Sequence, residues 1–488
     1  MKIVFVQPIG SGTPHLGLMY LIGVLKKEGY EDIHLVSLTE PPASEKRSYK
    51  YLMNLLKQKP DIVGVTSTTP EWTKAAEICK VAKEYSDVVM VGGPGPSIFP
   101  IEILEKYPFI DVVVFGEADN TIHKIVDRIE RHISLEGIKG TAYRDNGKII
   151  MNDPNPLIKD LDSIPYPDRD CLLDIETYHA PFSVFTSRGC PHGCVFCFKP
   201  VHGNVWRARS AQNVVDEIEF LLSKYPKTAK RIGRTISFAD DIFNFDINRA
   251  KQICDEIIAR NLDIKLVFEN GFHVRHVDYE LFQKLKKAGC VDLWFGVDSG
   301  HPEILKKIKK GITVDMVREA VKLARKAGIP MIGAHFIIGL TDETIETARS
   351  TIALAKQLDL DAMGFNHANI LPGTELWNWV MKHGKLLYPI ENMDYSMYKQ
   401  LNAIPVFETP EFSAEQRKKV YSEAVALMDS VFRRNCLSPR KILKTALSLR
   451  SLDDILWASK KLYTILLKKN LRLQPTNVQP SLLKKNYK

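Results

Sequence analysis

The chain has 488 residues, of which 45% are apolar and 26% charged, and its formal net charge is +9. These values are typical of a globular protein of two to four domains. No run of 18 apolar residues is visible, so no transmembrane helix is expected, and no secretory leader is visible either. Eight cysteines are few for a disulfide framework. We therefore expect a cytoplasmic protein in a reducing compartment.

Residues 1–135 alternate between short apolar runs and amphipathic segments. The predicted strands are 2–6, 33–38, 61–65, 88–91 and 111–115. Helical periodicity separates them, for example over residues 16–27. Continuous apolar strands between helices indicate a parallel sheet covered on both faces. Five strands in this rhythm predict a doubly wound, flavodoxin-like α/β domain.

Small and polar residues follow these strands, where a doubly wound sheet binds its ligands. The candidates are Pro8, Thr66, Ser67, Thr68, Gly92, Gly93, Pro94, Gly116 and Glu117. Glycine allows a large flat ligand to approach the backbone, and hydroxyl groups can bind its polar rim. A nucleotide would suit the same loops, and an unliganded sheet whose glycines serve only as turns is a further alternative.

Residues 136–178 are predicted to be a connector. They contain a hairpin around Asn146-Gly147 and then four prolines that resist regular structure. Over residues 179–395 the alternation resumes, with predicted strands at 182–186, 235–238, 265–268, 292–296, 331–338 and 362–370. Six strand–helix units predict a partial (β/α)6 barrel with its chemistry at the carboxyl ends of the strands.

Three cysteines follow the first strand of this barrel, at Cys190, Cys194 and Cys197. Three thiolates at C-x3-C-x2-C spacing can hold a [4Fe–4S] cluster and leave its fourth iron open. Glycine and proline between them favour a tight loop on which the sulfur atoms converge. A structural zinc ion with His192 or His202 as fourth ligand, and a disulfide with one spare thiol, are the alternatives.

The segment 187–197, with Phe196 before the third cysteine, resembles the signature of radical S-adenosylmethionine (SAM) enzymes. Residues 237–241, 296–300 and 336–340 resemble later motifs of that family. The residues before the triplet resemble the cobalamin-binding domain of one large subfamily, so the resemblance covers about residues 1–380. The resemblance implies that SAM chelates the open iron. It also implies that the reduced cluster cleaves SAM to give a 5′-deoxyadenosyl radical.

The resemblance also implies roles for residues at the ends of the barrel strands. Phe196 would contact the adenine or shield the cluster, and one of Asp240 and Asp241 would accept hydrogen bonds from the SAM ammonium. Asp298 and Ser299 would bind the ribose hydroxyl groups. Ile338 and Gly339 would flank the adenine. The structural alternatives are core packing for Phe196, a helix cap for the aspartates and a turn for Gly339.

The strand-end residues of the first domain would contact cobalamin. The Asp-x-His-x-x-Gly motif of many cobalamin domains is absent, because the loop at residues 10–17 has His15 without the aspartate. A protein histidine is therefore not expected to coordinate cobalt. Five further polar residues near strand ends are candidate bases or polar contacts: His273, His276, His335, His367 and Glu375. The other cysteines are expected to be buried structural thiols.

Residues 396–488 form a predicted helical region with a basic tail, with helices at 413–432, 439–449 and 452–468. Ser413 and Gln416 have the spacing of a helix cap. An apolar face beside a basic one suits the surface of an anionic membrane, although a helix packed on the barrel would have the same pattern.

Taken together, these patterns predict a cobalamin-dependent radical SAM enzyme that methylates an unactivated carbon of a small hydrophobic substrate, lipid-like or isoprenoid-like. A flavodoxin or ferredoxin would supply the electron. The alternatives are an oxidative cyclase or rearrangement enzyme, and a non-enzymatic cobalamin or redox sensor. A tRNA methylthiotransferase would need a second cysteine set and an RNA-binding module, and neither is visible, so no nucleic-acid partner is expected.

Overall fold

The computed structural model describes residues 1–10, 13–39, 42–388, 390, 393 and 404–436. The helices predicted at 439–449 and 452–468 and the basic tail lie outside the described residues. Within the described part of the chain, no helix combines the length and apolarity needed to cross a bilayer.

The first sheet has seven strands: β1 (Ile3–Gly10), β2 (Ile33–Thr39), β3 (Ile62–Thr66), β4 (Val88–Gly92), β5 (Val112–Val114), β6 (Thr141–Asp145) and β7 (Lys148–Met151). Their order is β2-β1-β3-β4-β5-β6-β7, and the first five are parallel. Every residue of β3 is buried, because helices cover both faces of the sheet. The predicted flavodoxin-like order is confirmed.

The hairpin that we placed in the connector belongs to this first sheet. Strand β6 pairs antiparallel with β5, with Ala142 opposite Val113. Asn146 and Gly147 both have positive φ, 47° and 81°, as a two-residue turn between twisted strands requires. The sheet therefore continues past residue 135, where the sequence pattern of alternating strands and helices ends.

Five helices surround this sheet: α1 (Leu16–Lys27), α2 (Pro42–Leu56), α3 (Trp72–Ala82), α4 (Pro100–Lys106) and α5 (Ile122–Glu130). Helices α1 and α5 contribute to the core on one face, and α2, α3 and α4 to the core on the other. This two-faced covering leaves the carboxyl ends of the strands as the open edge of the domain.

The second half contains the strands β8 (Ser183–Val184), β9 (Ser187–Arg188), β10 (Arg207–Ala208), β11 (Thr235–Phe238), β12 (Lys265–Phe272), β13 (Cys290–Asp298), β14 (Met331–Ile338) and β15 (Ala362–His367). Six of them form one parallel sheet in the order β15-β14-β13-β12-β11-β8. This is the predicted partial barrel. Strands β9 and β10 form a separate antiparallel pair at either end of the cysteine loop.

The barrel strands alternate with the helices α6 (Ala211–Lys224), α7 (Pro226–Arg231), α8 (Ile247–Ala259), α9 (Tyr279–Lys287), α10 (Pro302–Lys307), α11 (Val314–Lys326), α12 (Ile345–Gln357) and α13 (Glu375–His383). A short antiparallel pair follows, β16 (Lys385–Leu386) with β17 (Phe407–Glu408).

The final described helix, α14 (Ala414–Cys436), packs on the barrel. Its start is the predicted cap: the Gln416 N–H donates to the Ser413 hydroxyl at 3.3 Å, and the Ser413 N–H donates to Gln416 Oε1 at 2.9 Å. The buried Arg417 guanidinium donates to the Gly339 carbonyl after β14, at 3.3 Å. This contact ties the helix to the end of a central barrel strand.

Candidate active site

A cavity of about 790 Å³ lies where the carboxyl ends of the two sheets face each other. Its walls are mostly apolar and come from both domains, including Leu18 and Met90 from the first and Phe185 and Phe272 from the second. Because parallel sheets of both kinds bind ligands at this end, the cavity is the natural place for chemistry.

Seven of the nine strand-end residues predicted for the first domain line this cavity: Thr66, Thr68, Gly92, Gly93, Pro94, Gly116 and Glu117. Ser67 is buried and its hydroxyl donates to the Thr68 carbonyl at 2.7 Å. Neither Ser67 nor Pro8 is among the lining residues. After β3, the cavity is lined by Thr68, Thr69 and Pro70 in succession.

Gly93 is the position where the backbone itself forms the cavity floor. Its φ is +98°, and an added Cβ would lie 2.7 Å from Thr66 Oγ1 and 2.9 Å from the Ser67 carbonyl oxygen. Both the conformation and the space therefore require glycine. Gly93 lines the cavity, and the contact of a flat ligand with this glycine stays a prediction.

His15 is a lining residue that the sequence analysis considered only as an incomplete motif. Its Nδ1 accepts a hydrogen bond from the Leu18 N–H at 3.1 Å and so caps α1, and its Nε2 lies 3.4 Å from Thr66 Oγ1. Burial lowers the pKa of this ring, with Glu71 acting in the opposite direction. A neutral ring that accepts at Nδ1 carries its proton on Nε2, which leaves no lone pair there for a metal.

The three candidate cluster ligands Cys190, Cys194 and Cys197 all line the cavity. The Cys197 N–H donates to the Cys194 carbonyl at 3.0 Å, which forms a tight turn. Gly189 begins the loop with φ +80°, and a Cβ there would lie 2.1 Å from the Val205 carbonyl oxygen. The two ends of the cysteine loop, next to β9 and β10, therefore lie in close contact.

Lys199 stabilises the cysteine loop through hydrogen bonds to its main chain. Its ammonium donates to the carbonyl of Cys190 at 3.1 Å, to the carbonyl of His192, and to Asn204 Oδ1 at 2.9 Å. Burial raises the pKa of the Cys197 thiol to about 11, while the charge of Lys199 lowers it. Burial is the larger effect, and Lys199 opposes it by favouring the thiolate, the form that binds iron.

The donor set fits a [4Fe–4S] cluster with an open iron. All three thiols are free, and all three residues line the same cavity. Of the two histidines considered as a fourth zinc ligand, His202 contacts Arg207 at 3.1 Å through Nδ1. His192 stacks on His273 with ring centroids 4.1 Å apart.

The side chains of Asp240 and Asp241 lie in different surroundings, and of the two only Asp241 lines the cavity. Asp240 is 3% exposed and accepts the N–H and hydroxyl groups of both Thr186 and Ser187, including Ser187 Oγ–H at 2.8 Å and Thr186 N–H at 2.6 Å. Burial raises the pKa of this carboxyl despite these bonds. Asp240 is thus fully engaged in fixing the strand that leads to the cysteine loop.

Asp298 ends β13 with φ +67°, an unusual backbone conformation for a residue other than glycine. Its carboxylate pairs with Lys310 at 2.5 Å. Burial alone would lower the pKa of Lys310, but Asp298 and the nearby thiols raise it overall. Lys310 lines the cavity, and no motif in the sequence marked it.

Four residues predicted to bind SAM are not among the lining residues of the cavity: Asp298, Ser299, Ile338 and Gly339. Ser299 is buried and its hydroxyl lies 3.3 Å from Thr351 Oγ1. Ile338 is buried in the barrel core, and a Cβ at Gly339 would lie 2.2 Å from Arg417 Nη1. Phe196, by contrast, lines the cavity and also packs against the barrel core.

A buried ion network joins the two domains beside the cavity, and the sequence analysis missed it. Glu117, after β5, accepts from Arg207 at 2.6 and 3.0 Å and from Arg188 at 3.1 Å. Asp119 completes it with two bonds of 2.9 Å from Arg188. Burial raises the pKa of Glu117, but the arginines and the Ile158 N–H outweigh this and lower it overall. Arg188 directly precedes the cysteine loop, so this network positions that loop against the first domain.

The remaining candidate polar residues lie in different environments. His273 lines the cavity, and His276 stands beside it with ring centroids 5.1 Å apart. His335 stacks on Trp294 in the barrel, and His367 stacks on Tyr421 of α14. Glu375 is exposed and pairs with Lys309 at 2.6 Å. Outside the triplet, Cys79, Cys254 and Cys290 are buried free thiols as expected, whereas the free thiol Cys171 is only partly buried.

Comparison with known proteins gives matches for both halves of the chain. Residues 184–355 match the radical SAM superfamily, and residues 3–126 match the B12 binding domain. An uncharacterised methyltransferase of Pyrococcus horikoshii is 35% identical over 87% of this chain and 91% of its own length. An anaerobic magnesium-protoporphyrin IX monomethyl ester cyclase of Cereibacter sphaeroides is 32% identical over 83% of this chain and 66% of its own length. Among solved structures, the radical SAM methyltransferase TsrM of Kitasatospora setae, with cobalamin and a [4Fe–4S] cluster bound, superposes with a TM-score of 0.67 at 20% identity, covering 88% of this chain and 89% of that one.

Proposed function

The chain belongs to the radical SAM superfamily as a cobalamin-dependent enzyme, and we propose that it methylates an unactivated carbon of a hydrophobic substrate after cleaving SAM at a [4Fe–4S] cluster. Its cofactors are this cluster, SAM and cobalamin. The observation that carries the proposal is that the cysteine loop and the strand ends of the B12 binding domain line one and the same cavity.

The residues of the chain have distinct parts in this proposal. Cys190, Cys194 and Cys197 would hold the cluster, and Lys199 stabilises their loop by binding its carbonyl groups. Lys310 brings a positive charge close to the thiols, which favours their ionised form. When bound, the cofactors supply the radical and the methyl group, and the protein supplies alignment and exclusion of water.

The first domain would bind the corrin ring against its backbone. Gly93 and Gly116 line the cavity with positive φ, so backbone without a side chain borders the ligand space at these two positions. The apolar wall formed by Leu18, Leu21 and Ile122 would exclude water from the ligand. The absence of a free nitrogen lone pair at His15 supports binding without a protein ligand to cobalt.

The apolar lining supports a hydrophobic substrate, lipid-like or isoprenoid-like. Phe185, Phe198 and Phe272 face the cavity from the second domain. Apolar pockets with few polar groups bind apolar ligands and use the polar groups for orientation. Lys310 and Asp241 would then orient one polar end of such a molecule.

The first test is the production of 5′-deoxyadenosine by protein purified and reconstituted without oxygen. We expect the wild-type chain to hold about four irons and to release this nucleoside from SAM under reduction. Cys194→Ala should lose both properties. Cys254→Ala, which removes a buried thiol in α8, is the control and should retain iron. Nucleoside release by the Cys194→Ala protein at the wild-type rate would contradict the proposal.

Oxidative cyclisation is the second candidate reaction, and the similarity of this chain to the cyclase of Cereibacter sphaeroides favours it. An isotope label distinguishes it from net methyl transfer. The enzyme is incubated with an apolar cell extract and SAM carrying a deuterated methyl group. A product that gains the labelled methyl supports methylation, whereas a product that loses hydrogen without label supports cyclisation. The label therefore decides between the two reactions even when the substrate in the extract is unidentified.

Two predicted partners remain open to test. A flavodoxin or ferredoxin as reductant can be checked by replacing dithionite in the nucleoside assay. Membrane contact through the basic tail concerns residues outside the described ones, and liposome flotation of the whole chain and of a form ending at residue 435 tests it. Equal flotation of both forms would refute the membrane prediction.

A further inference from the structure

Lys310 is a largely buried cation in the wall of the cavity. Its side chain is 12% exposed, and it lines the same space as Cys190, Cys194 and Cys197. Asp298, its partner at 2.5 Å, is not among the lining residues. The positive end of this ion pair therefore borders the cavity, and the negative end lies behind it. We propose that the Lys310 ammonium stabilises the reduced form of the iron–sulfur cluster and so raises its reduction potential, an inference that rests on the proposed function.

The backbone and one glycine fix the path of the Lys310 side chain. Lys309 has φ +57°, and the Lys310 N–H donates to the Leu305 carbonyl at 3.2 Å, as in the left-handed turn that commonly ends a helix. From this turn after α10 the side chain reaches β13. A Cβ at Gly296 would lie 3.3 Å from Lys310 Nζ, so the glycine leaves room for the ammonium beside the strand.

The same turn is bonded to the cysteine loop through main-chain atoms. Val195, which directly follows Cys194, donates its N–H to the Ile308 carbonyl at 3.2 Å. Its carbonyl accepts the Leu376 N–H at 2.8 Å, so both main-chain groups of Val195 are engaged. Ile308 lies two residues before Lys310. The ammonium and the loop are therefore held relative to each other by the backbone, which makes the effect of the charge on the cluster a fixed property of the fold.

The apolar surroundings give this charge its effect. The cavity walls are mostly apolar, and a charge there acts more strongly than it does in water. The cluster gains negative charge when it takes up an electron, and its potential depends on the charge and hydrogen bonds around it. The other charged lining residues largely balance one another, Lys199 against Asp241 and Arg188 against acids of the first domain. Lys310 differs from them because its counter-ion lies outside the wall.

The ammonium remains charged at neutral pH. Burial lowers the pKa of Lys310, but Asp298 and the Cys194 thiol outweigh burial and raise it overall. The reduced cluster in this apolar space would otherwise lack a nearby cation to offset its added charge. The consequence for the reaction is a cluster that a low-potential electron carrier can reduce more readily.

The test measures the reduction potential of the cluster in the full chain without SAM. Protein reconstituted with iron and sulfide is titrated with dithionite, and electron paramagnetic resonance follows the reduced cluster. At the wild-type midpoint, we expect Lys310→Met to lower the ratio of reduced to oxidised cluster about tenfold, which is a fall of about 59 mV for one electron. Asp298→Asn removes the counter-charge and keeps a side chain that tolerates positive φ, so it should raise the potential.

Lys309→Met is the matched control. It removes the neighbouring lysine, whose side chain is 55% exposed and pairs with Glu375 at 2.6 Å, so solvent should screen its charge and the potential should stay unchanged. Lys310→Arg keeps the charge and should stay near the wild-type potential.

The outcomes separate this inference from the proposed function. An unchanged potential in both Lys310→Met and Asp298→Asn, or an equal fall in Lys309→Met, would overturn the role of Lys310 while the cluster itself stands. Asp298→Asn and Lys310→Arg decide the matter by themselves if Lys310→Met does not fold. A wild-type chain that holds no cluster would overturn the proposed function and this inference together.

Discussion

Removal of the Glu117 carboxylate should weaken the interface between the two domains. In Glu117→Ala, Arg207 loses bonds of 2.6 and 3.0 Å and keeps only the Ile158 carbonyl at 2.7 Å and His202 at 3.1 Å. Arg188 loses one bond and keeps Asp119. One guanidinium therefore stays buried without a counter-ion.

The expected cost follows from burial. The side chain of Glu117 is 1% exposed and that of Arg207 8%, so solvent cannot replace the lost charge. Breaking a buried ion pair on one side costs about 3–5 kcal/mol. Glu117→Gln keeps the shape and some hydrogen bonding, and should cost about 1.5–3 kcal/mol. Glu423→Ala, which removes a half-exposed pair with Arg349, should cost at most about 1 kcal/mol.

Urea unfolding followed by circular dichroism measures the difference. With an m-value of about 3 kcal/mol/M, Glu117→Ala should lower the first unfolding midpoint by roughly 1–1.7 M. The lowered pKa of Glu117 gives the sign of the pH effect: its contribution is complete above its unfolded value of about 4.5 and is lost as the pH falls through the folded value. The gap between wild type and variant should therefore close in acid. A midpoint change no larger than that of Glu423→Ala would refute this account.

Three further predictions concern the cavity and its supports. Gly93→Ala should destabilise the chain by about 1–3 kcal/mol and should lower its cobalamin affinity, measured by equilibrium dialysis. Gly137→Ala is the control and should retain affinity, because Gly137 also has positive φ but an added Cβ there has no atom within 4 Å. Asp240→Asn has one acceptor oxygen instead of two, so it cannot accept from both the N–H groups and the hydroxyl groups of Thr186 and Ser187, and it should reduce bound iron. Asp241→Asn should keep iron near four per chain by chemical analysis, and an equal loss in both variants would contradict the division between them. Burial raises the pKa of Glu343 from 4.5 to about 7, so stability should fall as the pH rises between these values, and Glu343→Gln should flatten that slope in urea titrations.

The strands and their order could be predicted because fully buried strands are encoded as continuous apolar runs. Residues 62–66 are an example, with every side chain buried. The place of the hairpin at 141–151 could not be predicted, because an antiparallel addition to a sheet edge leaves no periodic signal in the sequence. The cap at Ser413 was predictable because its partners are three residues apart.

Within the site, the sequence located strand ends but not the direction of individual side chains. Asp240 and Asp241 are adjacent and chemically identical, and only packing decides that the first binds Thr186 while the second faces the cavity. The motif-like residues Ser299 and Gly339 likewise contact helices behind the strands. Arg207 and Lys310 were missed because their partners, Glu117 and Asp298, lie 90 and 12 residues away, and the local spacing of a motif does not mark such pairs.

The position of Arg188 has a practical consequence for protein engineering. This residue is two places before Cys190, and its charge is neutralised by acids from the other half of the molecule. A chimera that grafts a foreign amino-terminal half onto this barrel would leave the arginine without its counter-ions unless the graft supplied carboxylates equivalent to Glu117 and Asp119. Swaps of substrate specificity between relatives should therefore transfer those two acids together with the junction, or the cysteine loop would lose its contact with the first domain.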